Sequence, residues 1–232
     1  MNVLGKWPER VVRPLLAEGL GSLILAAAVV GSGIMGEQLA AGNLAVALLS
    51  NTLATVAALA ILIAVLGPLS GAHFNPVISL IEMTRGRLPS RHAAGYIVMQ
   101  FIGCCVGAML ANAMFELPLV QASTHVRTGE AQWLSEAVAT AGLVLVVFAS
   151  PSLRVAAWRV PAWIGAAYWF TASTSFANPA ITLGRSLTDT FAGIRPIDAP
   201  GFMAAQLAGG FIGLWIAQIL FRDRPAASGQ SG

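Results

Sequence analysis

Hydrophobic residues along the chain fall into long runs separated by short polar stretches. Six runs are long enough to cross a bilayer, since a spanning helix needs roughly 20 apolar residues. They lie at residues 13–36, 43–66, 90–115, 132–150, 156–173 and 200–221. The first run has no small-residue cleavage site behind it, so we interpret it as a retained helix and not as a signal peptide. The pattern predicts an all-α membrane protein with six transmembrane helices.

Two shorter apolar pieces, near residues 75–84 and 178–188, each begin with an Asn-Pro pair. Asparagine just before a helix and proline in its first turn are helix-start signals. Because both pieces are too short to cross the bilayer and follow small, turn-forming residues, we interpret them as re-entrant half-helices. Non-helical backbone at membrane depth is tolerated only where protein covers it or where it lines a water-filled cavity. The two pieces therefore predict a cavity.

The pattern occurs twice along the chain. Leu16-Ala17-Glu18 opens the first run and Leu134-Ser135-Glu136 opens the fourth, and each half continues with a span, a half-helix and a further span. We divide the single domain into a first half at 1–118, a connecting loop at 119–131 and a second half at 132–232. Three spans per half make the second copy enter the membrane upside down, which is the inverted-repeat plan of membrane transport proteins.

The distribution of basic residues predicts the orientation of these spans. With six spans, ten basic residues share one side of the membrane: Lys6, Arg10, Arg13, Arg85, Arg87, Arg91, Arg154, Arg159, Arg222 and Arg224. Only Arg127, Arg185 and Arg195 fall on the other side. We therefore expect a multi-pass protein with both termini in the cytoplasm.

Composition excludes several classes of protein. Hydrophobic residues make up 56% of the 232 and charged residues only 10%, whereas soluble domains carry about 25% charge. A soluble globular domain, a disordered chain and a nucleic-acid-binding protein are therefore excluded. The adjacent Cys104 and Cys105 diverge on a helix and indicate neither a disulfide nor a metal site. We find no nucleophile–base pair, metal-ligand cluster or phosphate loop, so we expect no enzyme activity and no cofactor or metal.

Half-helices in inverted halves would bring their N-termini together near the membrane midplane. Each N-terminus presents unpaired backbone N–H groups and a partial positive charge. Asn75 and Asn178 would each cap their own helix and still hold an amide N–H free to face the axis. Such an arrangement orients a passing hydroxyl or water oxygen and repels cations, including hydronium.

The segments Ser70-Gly71-Ala72-His73-Phe74-Asn75-Pro76-Val77 and Asn178-Pro179-Ala180 resemble the two signature loops of the aquaporin (major intrinsic protein) family. The resemblance covers nearly the whole chain. It implies a six-helix bundle with two re-entrant half-helices, assembled as a homotetramer in a bacterial-type plasma membrane, and a passive channel for small uncharged solutes. Val77 replaces the usual alanine, a change that we expect the fold to tolerate.

The resemblance also implies a selectivity filter of four residues. Family offsets from the two asparagines place it at Thr55, Ala166, Ser175 and Ile181, and Ile181 stands where the family usually has arginine. A ring of these residues is small and uncharged, and should be wider than a water filter. Glycerol, urea and neutral metalloid acids such as arsenous acid are the implied solutes, with water as a further one. The aliphatic residue in the arginine position is similar to bacterial members associated with arsenic-resistance operons.

Arg185 leaves an alternative open. It lies one turn beyond Ile181 on the same face of the half-helix. It could reach the outer mouth and supply the displaced guanidinium, in which case a strict water channel closed by Arg185 is possible. Alternatively, it pairs with Asp189 or extends to the membrane surface.

Glu18 and Glu136 are the two acids deep inside apolar runs, and such acids are functional candidates by default. The resemblance implies that each carboxylate supports its re-entrant loop through backbone hydrogen bonds, and that His73 packs the first loop. The rival interpretation is a coupled secondary transporter in which Glu18 and Glu136 carry protons.

Overall fold

The structure, a computed structural model, describes residues 9–221, and this part of the chain folds into eight helices without strands. They are α1 (Glu9–Leu39), α2 (Leu44–Ser70), α3 (Pro76–Thr84), α4 (Ser90–Met114), α5 (Glu130–Ala149), α6 (Leu153–Phe170), α7 (Pro179–Arg185) and α8 (Ala199–Leu220). Six helices are long, and the two short ones, α3 and α7, begin at the Asn-Pro pairs. The predicted all-α fold with two half-helices is confirmed.

Five of the long helices are long and apolar enough to cross a membrane, namely α1, α2, α4, α5 and α8. The sixth, α6, has 18 residues and carries Arg154 and Arg159 in its first two turns. Among the basic residues behind the predicted orientation, Lys6, Arg222, Arg224 and the side chain of Arg10 lie outside the described part of the chain.

Helix packing repeats between the two halves. The most extensive contacts are those of α1 with α4 and of α5 with α8, which are the first and last helices of each half. Glycines on α4 and α8 allow these close crossings, because an added Cβ would lie 2.2 or 2.3 Å from a backbone oxygen of the facing helix. They are Gly103 and Gly107 on α4, and Gly209 and Gly213 on α8.

The half-helices join the halves to each other. Each of α3 and α7 contacts both α4 and α8, and the two also contact each other. The predicted piece 178–188 is shorter in the structure, where α7 ends at Arg185. Helix α7 ends there because the next carbonyls accept hydrogen bonds from other loops: that of Arg185 from the Ile194 N–H and that of Ser186 from the Ser123 N–H.

Candidate functional site

A cavity of about 360 Å³ lies between the two half-helices and the long helices around them. Most of its wall is aliphatic. This apolar part consists mainly of Leu25, Val29, Leu59, Ile63, Leu143, Val147, Val160 and Ile164. A smaller polar part comes from both re-entrant loops, Thr55, Tyr168 and Arg185. Hydrogen-bonding groups on a mostly apolar wall suit small neutral solutes that carry hydroxyl groups.

Asn75 and Asn178 both line this cavity and link the two halves. The Oδ1 of Asn75 accepts from the Val77 N–H at 3.0 Å, and that of Asn178 accepts from the Ala180 N–H at 3.0 Å. Each side-chain nitrogen then donates across the molecule: Asn75 Nδ2 to the Ala177 carbonyl at 2.7 Å, and Asn178 Nδ2 to the Phe74 carbonyl at 2.8 Å. Because an amide nitrogen has two hydrogens, one N–H per asparagine remains for the cavity.

The backbone is strained where these bonds are made. Phe74 and Ala177, the residues directly before the asparagines, have positive φ angles of 45° and 49°. Residues other than glycine adopt this left-handed conformation only where the surrounding structure imposes it, and such strain is typical of functional sites. Their carbonyls are the ones that accept from the opposite asparagine.

Glu18 supports the first re-entrant loop from α1. The fully buried carboxylate accepts hydrogen bonds from the backbone N–H groups of His73 and Phe74, from Ser70 Oγ and from Gln100 Nε2, at 2.7 to 2.9 Å. His73 packs edge-on against the Tyr96 ring, and its Nδ1 lies 3.1 Å from Ser79 Oγ.

Glu136, on α5, supports the second re-entrant loop as Glu18 supports the first. Its carboxylate accepts from the backbone N–H groups of Phe176 and Ala177, from Ser173 Oγ and from Gln206 Nε2, at 2.6 to 2.8 Å. Neither glutamate is among the residues that line the cavity. Both carboxylates are therefore committed to holding the loops. The glutamines Gln100 and Gln206 were not predicted, because nothing in the apolar runs distinguishes them from other buried amides.

Three of the four predicted filter residues, Thr55, Ser175 and Ile181, line the cavity. The prediction that Ala166 is the fourth is wrong, since Ala166 lies on the exposed face of α6. The cavity side of that helix carries Ile164 and Tyr168. A helix turns about 100° per residue, so a position two residues from both points away from the cavity.

Tyr168 replaces Ala166 as the residue that α6 contributes beside Thr55. The Tyr168 hydroxyl lies 3.4 Å from Thr55 Oγ1, and both side chains are buried. The spacing of Ile164 and Tyr168, one turn apart, was the signal that could have identified this face of the helix.

Arg185 also lines the cavity and is 3% exposed. Its guanidinium carbon lies 3.3 Å from the centre of the Phe176 ring, and its Nε donates to the Ala192 carbonyl. The alternative in which Arg185 pairs with Asp189 is wrong. Asp189 instead accepts from the backbone N–H and hydroxyl of Thr124, and these bonds lower the pKa of the Asp189 carboxyl.

Arg127, in the connecting loop, was not predicted as a site residue. Its guanidinium donates to the backbone carbonyls of Gly193, Ser173 and Phe191 at 2.8, 3.3 and 3.4 Å. Its guanidinium carbon lies 5.2 Å from the centre of the Phe176 ring. Since all three acceptors are backbone atoms of distant loops, residue types in the sequence give no signal for this arrangement.

The opposite end of the cavity carries charged residues of a different kind. Glu82, Arg85 and Arg87 line it, and Arg85 Nη1 lies 2.5 Å from Glu82 Oε1. The Arg85 guanidinium also stacks on the Phe148 ring at 3.9 Å. Glu82 therefore pairs closely with Arg85, and Arg87 Nη1 lies 3.9 Å from the other carboxylate oxygen of Glu82.

Comparisons with known proteins agree with this geometry. Over 214 residues the chain is 52% identical to the aquaglyceroporin AqpS of Rhizobium meliloti, covering 90% of this chain and 91% of that protein. It is 28% identical over 185 residues to the probable aquaporin AqpM of Archaeoglobus fulgidus, covering 72% and 74%.

The fold is similar to that of a solved channel. The X-ray structure of the aquaglyceroporin from Plasmodium falciparum matches with a TM-score of 0.68 at 21% identity, covering 92% of this chain and 96% of that one. Residues 7–171 match the major intrinsic protein family. With its two asparagine-capped half-helices meeting at one cavity, the chain belongs to the major intrinsic protein family.

Proposed function

We propose that this protein is a passive channel for small uncharged solutes, namely glycerol, urea and neutral metalloid acids such as arsenous acid, and that it also passes water. The observation that carries the proposal is Ile181 in the cavity wall, where the family usually places arginine. An aliphatic side chain there adds no hydrogen-bond donor and leaves the wall apolar enough for the carbon side of a polyol. The aquaglyceroporin name of the relative that is 52% identical supports the same solute class.

The selectivity ring of this channel consists of Thr55, Ser175 and Ile181, with Tyr168 from α6 as its fourth member. All four side chains are buried and line the same cavity. Three of them carry hydroxyl groups, which can exchange hydrogen bonds with a solute hydroxyl as it loses its hydration. The asparagine amides at the half-helix N-termini orient the solute oxygen further along the path.

Transport is passive and does not depend on the buried glutamates. Each carboxylate accepts a full set of hydrogen bonds from its loop and lies behind the cavity wall. Proton coupling would require a titrating group to alternate between two environments, and bonds that fix a re-entrant loop leave no such freedom. A folded Glu18→Gln channel should therefore conduct as the wild type does.

The channel resides in the plasma membrane with both termini in the cytoplasm and assembles as a homotetramer. The basic residues between the spans support the orientation, and the family resemblance supports the assembly. The exposed sides of the long helices are lined with large apolar residues, which suits contact with lipid or with other copies.

Stopped-flow light scattering on proteoliposomes tests the proposal by comparing water and glycerol permeability in one preparation. The wild type should pass glycerol. Ile181→Arg should lose glycerol permeability while water flux persists, because a long guanidinium side chain then occupies the ring. Ile181→Val is the matched control and should keep both fluxes.

The result that would overturn the proposal is a wild-type protein that passes water and no glycerol. The ring would then not set the size limit, and Arg185 would be the residue that closes the channel. Size-exclusion elution of each variant in detergent shows that the proteins compared are equally well folded.

A further inference from the structure

Two buried polar atoms on the cavity wall have no hydrogen-bond partner. Within residues 9–221 these are Nη1 of Arg185 and Oγ of Ser175, and their side chains are 3% and 2% exposed. A buried donor left without a partner is costly, so such groups in a folded protein require an explanation. Both atoms belong to residues that line the space through which the solute would pass, which indicates that the solute supplies the missing partner.

The conformation of Arg185 is fixed from two directions. Its guanidinium carbon lies 3.3 Å from the centre of the Phe176 ring, and its Nε donates to the Ala192 carbonyl. The guanidinium is therefore not free to turn toward solvent or toward an acid, and Glu82 at the far end of the cavity is already paired with Arg85.

Arg127 determines where Arg185 can dock. The carbonyls of Phe191, Ala192 and Gly193 follow one another in the chain, and they accept from Arg127, Arg185 and Arg127 in turn. Arg127 thus holds the turn whose central carbonyl receives Arg185 Nε. Arg127 is a positioning residue, since its own donors are used on backbone carbonyls and it acts on the cavity through Arg185.

The displacement of the arginine separates two kinds of selection. Position 181 is one helical turn before Arg185, a distance of about 6 Å along an α-helix. At position 181 an arginine would limit both the size and the charge of the solute. With Ile181 in the ring, the guanidinium instead comes from Arg185 and lies over the ring of Phe176, the residue that follows Ser175 in the chain.

We infer that Arg185 is the charge-selecting residue of this channel, and that with Ser175, a member of the selectivity ring, it forms an oxygen-binding subsite for hydroxylated neutral solutes. A guanidinium in a cavity of low dielectric repels cations strongly, while its unused N–H donates to a neutral acceptor oxygen. Charge selection is thus assigned to Arg185 and size selection to the ring. This inference rests on the proposed channel function and adds which residues make each selection.

Proteoliposomes loaded with the pH-sensitive dye pyranine report proton leak and methylammonium entry. Light scattering on the same vesicles reports glycerol permeability. In Arg185→Gln, proton leak and methylammonium entry should rise by about tenfold or more, because the Coulomb repulsion is gone. Arg185→Lys, which keeps the charge, is the matched control and should still exclude both cations. Adding Ile181→Arg to Arg185→Gln should restore cation exclusion from the neighbouring turn.

Arg127→Gln tests the positioning role. It should raise cation entry less than Arg185→Gln does, and the double variant should leak no more than Arg185→Gln alone, because both changes act through one guanidinium. Additive leaks would contradict this role. Ser175→Ala tests the subsite without touching the arginine: glycerol permeability should fall while cation exclusion persists, and an unchanged glycerol permeability would contradict the subsite.

The inference is overturned if folded Arg185→Gln excludes cations as well as the wild type does. If the wild type passes no glycerol, the proposed function fails instead, and the two failures are distinguishable in the same vesicles. If Arg185→Gln does not fold, the comparison of Arg127→Gln and Ser175→Ala with the wild type still decides the matter.

Discussion

The two re-entrant loops have the same contacts up to the asparagine and beyond it by one turn. Counted from each asparagine, a serine five residues earlier and the two preceding backbone N–H groups bind the glutamate in both halves. Four residues after it, Ser79 and Thr182 accept from Gln100 and Gln206. Three residues after it, isoleucine lines the cavity in both halves.

The halves differ seven residues after the asparagine. The first half has Glu82 there, paired with Arg85 at 2.5 Å. The second half has Arg185, and the structure shows no acid paired with it among residues 9–221. The shared part of the loops builds the scaffold, and the unshared part places an acid between two arginines at one end of the cavity and Arg185 without a paired acid at the other. The two ends of the cavity therefore differ in charge pairing where the internal repeat breaks down.

The largest expected loss of stability comes from removing a glutamate that holds a re-entrant loop. Glu136→Ala would leave four buried donors without an acceptor, and because each unmet donor costs about 1–3 kcal/mol, the loss should reach about 4 kcal/mol or more. Glu18→Ala should cost a similar amount, because its set of donors is equivalent. Thermal unfolding in detergent measures both.

Glu136→Gln is the matched control, since it keeps one acceptor oxygen and should cost less than Glu136→Ala. An alanine variant that unfolds at the wild-type temperature would contradict the scaffold role. A large difference in unfolding temperature between Glu18→Ala and Glu136→Ala would show that the two halves have the same contacts but that these contribute unequally to stability.

How much of this could be predicted depends on where each residue's partners lie. The glutamates stand out because acids are rare in apolar runs, and the asparagines because each precedes a proline at the start of a short apolar piece. The position of Ala166 was counted from an offset, and an error of two residues moves a helical side chain to the opposite face. Arg127 was not predicted because its partners are backbone carbonyls more than forty residues away in the chain. Residue type does not indicate which carbonyls such a side chain will bind.

An intermediate loss of stability is expected where the first half has Val77 and the second half has the smaller Ala180. A Cβ on Gly210 would lie 2.3 Å from Cγ1 of Val77, so Gly210 makes room for the valine that replaces the family's alanine. Gly210→Ala should destabilise the protein by about 2 kcal/mol through overpacking. Val77→Ala in the same chain should recover most of that loss, as judged by unfolding temperature.

Gly31→Ala provides the control for the change in glycine itself. A Cβ there would lie 3.5 Å from the Phe115 ring, an ordinary contact. The size relation between Val77 and Gly210 is wrong if the double variant is no more stable than Gly210→Ala alone.

The smallest effect on permeability and stability is expected at the end of the cavity lined by Glu82, Arg85 and Arg87. Glu82→Gln removes the carboxylate that pairs with Arg85, and a partly exposed ion pair of this kind contributes about 1 kcal/mol or less. Glycerol permeability should stay at the wild-type level, because neither residue belongs to the selectivity ring. Glu116→Gln, at an exposed position, is the control.

A marked loss of glycerol flux in Glu82→Gln, with the protein still folded, would contradict the assignment of selectivity to the other end. Glu82→Gln and Arg185→Gln change the same position of the internal repeat. Only Arg185→Gln is expected to increase cation entry, so the two variants should be compared directly.

The hydrogen bonds exchanged by Asn75 and Asn178 also constrain how the protein is made. Asn75 and its partner Ala177 are 102 residues apart in the chain, and Asn178 and its partner Phe74 are 104 residues apart. The ribosome delivers the first half to the membrane well before the second. During that interval the Phe74 carbonyl and the Asn75 amide lack their final partners at a depth where water is scarce. Biogenesis of the first half is thus complete only when residue 178 has been inserted, and a truncated chain exposes a recognisable defect to the cell's quality control.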